Sequence, residues 1–399
     1  MTTDPPAPLG RRLGAALREG DQVSALELFF DLVFVLAITQ CTALMASEPT
    51  WRGLAKGMLV LAILWWAWVG YAWLTSVVDP DEGLVRIAIF AAMAALLVVS
   101  LCVPRAFDAL GLLFALAYGL VRLGQLGLFL LAARDDPVLQ RSVWVGLLPS
   151  TCAGIGLLVT ASFVHGVAQG AIWVGALSLD MLGPFLFGSE GWRLAPGHFA
   201  ERHGLIVIIA LGESIVAVGV GSTAGVDTGV VVAAVLGTAL VASMWWCYFD
   251  VSSLAAARLL RDAPVGKEQN ELARDAYSFL HLPMVAGVVL VALGLKKAIA
   301  HVGVPLRQET AFALVGGTGV YLLGLVAFRL RNTRSVSPPR LALALLLLAA
   351  VPVADELDAG IALAGVASAM VALIAYETIR FAAGRAEVRH GESSAATSP

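Results

Sequence analysis

The chain has 399 residues, 59% of them hydrophobic and 14% charged, with a mean hydropathy of +0.85. Soluble domains run nearer about 45–50% apolar and about 25% charged, so this composition excludes an ordinary soluble enzyme. A formal net charge of −3 leaves no general basic field, and nucleic acid is not an expected partner.

The apolar residues come in blocks of roughly 20, the length that crosses a hydrocarbon core about 30 Å thick. A membrane β-barrel would instead alternate apolar and polar residues in segments of about 10. The predicted class is therefore all-α, a polytopic membrane protein. Reading runs against breaks predicts twelve transmembrane helices, at 24–45, 55–76, 84–103, 109–132, 142–162, 166–187, 203–222, 228–250, 277–297, 311–330, 340–355 and 360–382. The breaks are turn chemistry, as in Ser47-Glu48-Pro49, Asp79-Pro80-Asp81, Asp135-Asp136-Pro137 and Ser337-Pro338-Pro339. The eleventh span is short and interrupted by Pro352.

Residues 1–23 are polar and carry Arg11, Arg12 and Arg18; the apolar run after them is too long and too acidic for a signal-peptide core. They read as a cytoplasmic segment, and residues 385–399 as a disordered cytoplasmic tail. Of the 26 basic residues, 19 fall in the segments that share a side with the N-terminus and six on the other side, the last being Arg122 inside a span. That bias predicts a multi-pass protein of the cell (inner) membrane with both termini cytoplasmic, the outer Lys296-Lys297 pair dissenting. Cys41, Cys102, Cys152 and Cys247 all lie in apolar runs with no metal spacing and read as small packing residues.

The second half echoes the first. Asp31 and Glu213 each sit in the first helix of a half, Trp65-Trp66 recurs as Trp245-Trp246 in the next helix, and Asp180 and Glu377 each lie in a sixth helix. Six spans per half is an even number, so both halves enter from the same side. The expectation is two parallel six-helix repeats, residues 24–190 and 191–384, related by an axis along the membrane normal. Polar groups along the interface of the repeats would line a path.

Intramembrane charges mark the candidate positions, since an acid near mid-span costs about 2.5–3.5 kcal/mol on insertion scales. Glu27 and Asp31 are four residues apart and share a helix face. Asp31 reads either as a cation or proton site or as a structural acid paired with a buried cation. Glu27 is shallower and reads as interfacial. Gln40, further along, would extend a polar stripe or hydrogen-bond a neighbouring helix. Arg122 demands an acidic partner, for which Asp180 and Asp31 compete; pairing with Asp180 would leave Asp31 for function. In the second half Gly212 permits close helix approach, Glu213 is the matching acid and Ser214 sets a hydroxyl beside it. Gly166-x-x-x-Gly170 reads as a further close-packing motif. His281, followed by Pro283, is either a proton shuttle or a hydrogen-bonded histidine beside a proline kink. Asp250 and Glu377 read as interfacial. His198, Glu201 and His203 do not place both histidines on one helical face, so no metal is expected.

The segments Glu27-Leu-Phe-Phe-Asp31-Leu-Val-Phe-Val, Glu201-Arg-His-Gly with Leu211-Gly-Glu-Ser214, and His281-Leu-Pro-Met with Gly294-Leu-Lys-Lys297 resemble the bacterial low-temperature-requirement protein A family. These motifs run in order across residues 24–300, and beyond that the likeness is only hydrophobic. The resemblance implies that Glu27, Phe29, Phe30, Asp31, Arg202, His203, Gly212, Glu213, Ser214, His281 and Pro283 are motif positions. The family's name records a cold-growth phenotype, so membership carries no mechanism with it. Architecturally the chain is also similar to the endolysosomal potassium channel family, which has an Arg-x-x-x-Phe-Ser-Asp motif. Here Glu27 stands where the Arg would be and Phe30 where the Ser would be, which separates this chain from a shared potassium mechanism.

The expectation is a membrane protein that conducts or transports a small ion or solute along the interface of its repeats, with Asp31 and Glu213 on the path. The rival class is a non-transporting scaffold or envelope and cold-adaptation factor whose buried acids serve packing. No P-loop, zinc-protease motif or nucleophile elbow occurs, so no enzyme activity, catalytic residue or cofactor is expected. The expected partners are the lipid bilayer, a small cation or proton, and a second copy of the chain in a homo-oligomer.

Overall fold

The computed structural model describes residues 22–389 apart from 82, 187–191, 223–224, 226, 383–384 and 386–387. The predicted boundary between the repeats at 190/191, residues 1–21 of the N-terminal segment and residues 390–399 of the tail lie outside the described residues.

Thirteen helices carry the described fold, and the apolar runs dictate them. They are α1 (Ala25–Ser47), α2 (Trp51–Thr75), α3 (Gly83–Cys102), α4 (Gly111–Ala132), α5 (Pro137–Ala161), α6 (Gly166–Leu186), α7 (Pro196–Gly221), α8 (Thr228–Phe249), α9 (Ser252–Asp262), α10 (Lys267–Ala300), α11 (Gln308–Thr333), α12 (Pro338–Ala354) and α13 (Ala359–Arg380). Ten helical stretches among the described residues are long and apolar enough to cross a membrane; α12, with Pro352 inside it, is a shorter apolar helix. No strand occurs among the described residues, only the antiparallel bridge between Pro305 and Asp358.

Helix starts follow their side chains. Asp136 accepts from the Val138 and Leu139 amides ahead of Pro137 at the first helical position. Asp227 accepts from Val230 N–H to open α8. At α1 the cap is reciprocal: Glu27 N–H donates to Ser24 Oγ at 3.3 Å, and Ser24 N–H donates to Glu27 Oε2 at 2.9 Å. Ser24-x-x-Glu27 is thus a capping box, which fixes the Glu27 side chain from the first turn. Three helices carry a π-helical turn, at Ser142–Leu147, Ala273–Phe279 and Phe312–Gly316; such turns shift side chains by one position around the helix.

Contacts divide the chain into two compact units. The first comprises Met1–Cys41, Leu59–Arg202 and Pro264–Glu271, and the second Thr42–Met58, His203–Ala263 and Leu272–Pro399. Within the first, α4 packs on α3 and on α5, and α5 packs on α6; within the second, α10 packs on α11, α11 on α12 and α8 on α13.

The α10–α11 contact is made through glycines at seven-residue spacing. A Cβ on Gly287 would lie 2.6 Å from Tyr321 N, one on Gly294 2.6 Å from Leu314 Cα, and one on Gly317 2.7 Å from Leu290 Cβ. The two helices therefore approach backbone to backbone, which only glycine allows. The expected close-packing glycines differ: Gly212 is exposed, and a Cβ on Gly212, Gly166 or Gly170 would meet nothing within 4 Å among the described residues. Both readings of close approach are corrected, because the periodicity of small residues does not reveal which face they occupy. Cys152 is likewise exposed and not a packing residue, whereas Cys41, Cys102 and Cys247 are buried.

Candidate functional site

A buried charged centre lies within the first unit, where α1, α2 and the start of α7 meet. The i,i+4 spacing of Glu27 and Asp31 places both on one face of α1, and His198 and Arg202 have the same spacing on α7. The two pairs interlock. Arg202 Nη1 donates to Glu27 Oε1 at 2.9 Å and to Thr75 Oγ1 at 3.1 Å, and Nη2 donates to Asp31 Oδ1 at 2.8 Å. His198 Nε2 lies 2.8 Å from Glu27 Oε1, and its Nδ1 lies 3.4 Å from Ser76 Oγ. Trp68 Nε1 donates to Asp31 Oδ1 at 2.9 Å, and its ring faces the guanidinium at 5.5 Å from the centroid. Phe30, between the two acids, is buried with its ring 4.9 Å from that of Tyr71.

None of the four ionisable groups is more than 1% exposed. Glu27 is therefore buried and bonded within the protein, enclosed by the capping box and α7. The predicted start of that span at 203 misses Pro196–Arg202, because charged residues resemble a loop until their partners are known. Asp31 is paired with a cation, though not with Arg122.

Arg122 forms a second centre in the same unit. Its Nη2 donates to Asp180 Oδ1 at 2.7 Å and to Thr151 Oγ1 at 3.2 Å, and its Nη1 donates to Gln125 Oε1. Thr151 Oγ1 and Tyr118 OH also donate to Asp180. Of the two acids that compete for Arg122, Asp180 is the partner. All the polar groups of this centre are satisfied locally except Arg122 Nε, the pattern of a structural tie between α4, α5 and α6.

Glu213 is buried on α7, and Ser214 donates to the Val288 carbonyl at 3.4 Å. His281 is enclosed in the second unit by His203, Tyr248, Tyr277 and Phe328, with ring centroids 4.9–5.6 Å away. Its Nδ1 lies 3.0 Å from the Ala276 carbonyl, which can only accept, and its Nε2 lies 2.8 Å from Tyr248 OH. Both nitrogens of the ring are committed, and the π turn ahead of Pro283 supplies the carbonyl. Gln40 is half-buried and Phe29 exposed. Trp65-Trp66 are buried whereas Trp245-Trp246 are partly exposed, so the paired tryptophans occupy different environments. Glu377 and Asp250 are not open interfacial acids. Arg340 donates to both Glu377 oxygens at 2.8 Å, and Arg385 and Arg389, within the predicted tail, pair with Asp250.

Sequence reasoning missed Trp68, Thr75, Ser76 and the Ser24 cap as members of the first centre, and considered His198 only as a metal ligand. Ser24 and His198 carry a signal. Ser-x-x-Glu before an apolar run is a capping box, and His-x-x-x-Arg at the start of a span complements Glu-x-x-x-Asp.

Among the described residues no group of three or more His, Cys, Asp and Glu side chains could hold a metal ion. No solved structure matches the chain. An uncharacterized protein of Rhizobium meliloti (strain 1021) is 30% identical over 331 residues, covering 77% of this chain and 77% of its own length. Residues 22–375 match the family described as bacterial low temperature requirement A protein, so the likeness extends past the residue-300 limit seen in the motifs. With Glu27, Asp31 and Arg202 of its motifs gathered into a buried centre and its match running from the first helix into the last, the chain belongs to the bacterial low temperature requirement A family.

Proposed function

We propose that this membrane protein conducts or transports a small ion or solute, and that the Glu27–Asp31–Arg202–His198 centre acts on its path. The observation that carries this reading is the burial of two carboxylates with a single guanidinium between them. Uncompensated buried charge is costly, and a helix bundle needing only stability would do better with apolar residues. The Arg122–Asp180 centre shows the contrast: one acid, one guanidinium and nearby hydroxyl donors.

The proposed arrangement is twelve transmembrane spans in two parallel six-helix repeats, with both termini cytoplasmic in the inner membrane and no enzymatic step. Glu213 is proposed as the second half's counterpart of Asp31. The rival reading, a non-transporting scaffold, draws support from the direct ion pair between Asp31 and Arg202.

Flux in reconstituted liposomes separates them. Wild-type protein is expected to move at least one of a panel of cations, protons and small solutes, and Asp31→Asn and Glu213→Gln to reduce that flux. Wild-type flux equal to that of empty liposomes across the panel would reject transport. A phenotype of Asp31→Asn that merely tracks lost protein stability would favour the scaffold.

A further inference from the structure

We propose that the centre on α1 and α7 is a proton-binding site, and that Asp31 Oδ2 is the atom that takes the proton. The inference deepens the transport reading, on which its role in flux rests, by naming the proton as the ion the centre handles.

The hydrogen bonds assign the states of the neighbours. Glu27 Oε2 accepts the Ser24 amide, and Oε1 accepts from Arg202 Nη1 and lies against His198 Nε2. Both Glu27 oxygens are surrounded by donors, which holds it as a carboxylate. A carboxylate can only accept, so His198 Nε2 carries its hydrogen. Arg202 is a fixed cation. Asp31 differs from Glu27: Oδ1 accepts both Trp68 Nε1–H and Arg202 Nη2–H, while Oδ2 is buried without a hydrogen-bond partner.

Charge completes the argument. Among the described residues, the charged and titratable groups bonded into this centre with Asp31 are Glu27 on its own helix and His198 and Arg202 from α7; α2 contributes Trp68 and Thr75, with Ser76 just beyond it. Among these groups two carboxylates stand against one guanidinium, a balance of one negative charge in a buried site, where such a charge is poorly tolerated. One proton removes it, and two atoms could take that proton. On His198 Nδ1 it would point at Ser76 Oγ across 3.4 Å, a long contact. On Asp31 Oδ2 it neutralises the centre without breaking either bond to Oδ1. Release of that proton leaves Arg202 shared equally by two carboxylates; uptake leaves it held chiefly by Glu27. The proton thereby changes the tie between α1 and α7.

Infrared difference spectroscopy on the full chain in lipid nanodiscs, titrated across about pH 4 to 10, reads this directly. A protonated-carboxyl C=O band is expected to appear as pH falls, to shift when the protein is made with carboxyl-13C aspartate but not with labelled glutamate, and to vanish in Asp31→Asn. Because the isotope arm uses wild-type protein, the assignment to aspartate stands even if the variant fails to fold, and Asp31→Glu then moves the band into the glutamate-labelled sample. A titrating Asp31 band together with proton flux that falls to the empty-liposome level in Asp31→Asn supports both readings. A titrating Asp31 band without flux of any ion supports the proton site and rejects transport. Ion flux with no aspartate band, or with a band that persists in folded Asp31→Asn, overturns the proton site and leaves transport standing.

Discussion

Removing the guanidinium at Arg202 tests how the first centre is held together. In Arg202→Gln the side chain loses charge-assisted bonds to Glu27 at 2.9 Å and Asp31 at 2.8 Å, and the bond to Thr75 at 3.1 Å. Two carboxylates then remain four residues apart on one buried helix face. Breaking a buried pair by deleting one partner costs about 3–5 kcal/mol, most of it the uncompensated charge left behind. For a chain of this length each kcal/mol lowers Tm by about 2 °C, so the expected drop is about 6–10 °C. The assay is thermal unfolding of purified protein in one detergent, followed by tryptophan fluorescence. The triple variant Glu27→Gln/Asp31→Asn/Arg202→Gln keeps the shapes and removes every fixed charge, so it is expected to regain most of the loss. A drop below about 2 °C in Arg202→Gln, equivalent to about 1 kcal/mol, would refute the assignment of Arg202 as the group that offsets both acids. Failure of the triple variant to recover would show that the cost lies in packing and not in charge.

Three further outcomes follow from the same geometry. Arg122→Met should cost about 3–5 kcal/mol by stranding Asp180, and Arg122→Met/Asp180→Leu should restore most of it, measured in the same thermal assay without loss of flux. Gly294→Val places a side chain against Leu314 backbone at the α10–α11 contact and should cost about 1–3 kcal/mol or more, whereas Gly212→Ala, opening onto free space, should stabilise α7 by about 0.5–1 kcal/mol; equal effects of the two would contradict the packing described. A membrane-permeant maleimide should modify Cys152 in folded protein while Cys41, Cys102 and Cys247 stay protected, as mass spectrometry of the labelled peptides would show.

Much of the fold is legible in the sequence because lipid imposes one rule, that apolar runs of sufficient length become helices. Each predicted span overlaps a helix, but ten helical stretches among the described residues, not twelve, are long and apolar enough to cross a membrane: α6 is not one of them, and the eleventh span is the short α12 with its internal Pro352. What the sequence hides is pairing. Arg202 and His198 look like loop residues because hydropathy charges them their full solvation cost, and only the acids on α1 offset it. The partners of Glu27 are hidden for the same reason, although the Ser24-x-x-Glu27 box is open to reading. Arg122 is the opposite case: a lone cation deep in a span requires an acid, and Asp180 is one of the two available. Glycines mislead in a different way. Gly287 and Gly294 are indistinguishable in composition from Gly166 and Gly170, yet only the first pair meets another backbone, because a helix's rotation about its axis is set by its neighbours.

The central claim, that Asp31 serves ion movement and not packing alone, is tested most directly by currents from proteoliposomes under imposed ion and pH gradients. Wild type is compared with an Asp31→Asn preparation of matched thermal stability. The account predicts a gradient-dependent wild-type current that is absent in Asp31→Asn, whose amide oxygen still accepts from Trp68 and Arg202 but whose side chain no longer carries a titratable oxygen. A current undiminished in Asp31→Asn, or a wild-type current no larger than that of empty liposomes under every gradient, would contradict it.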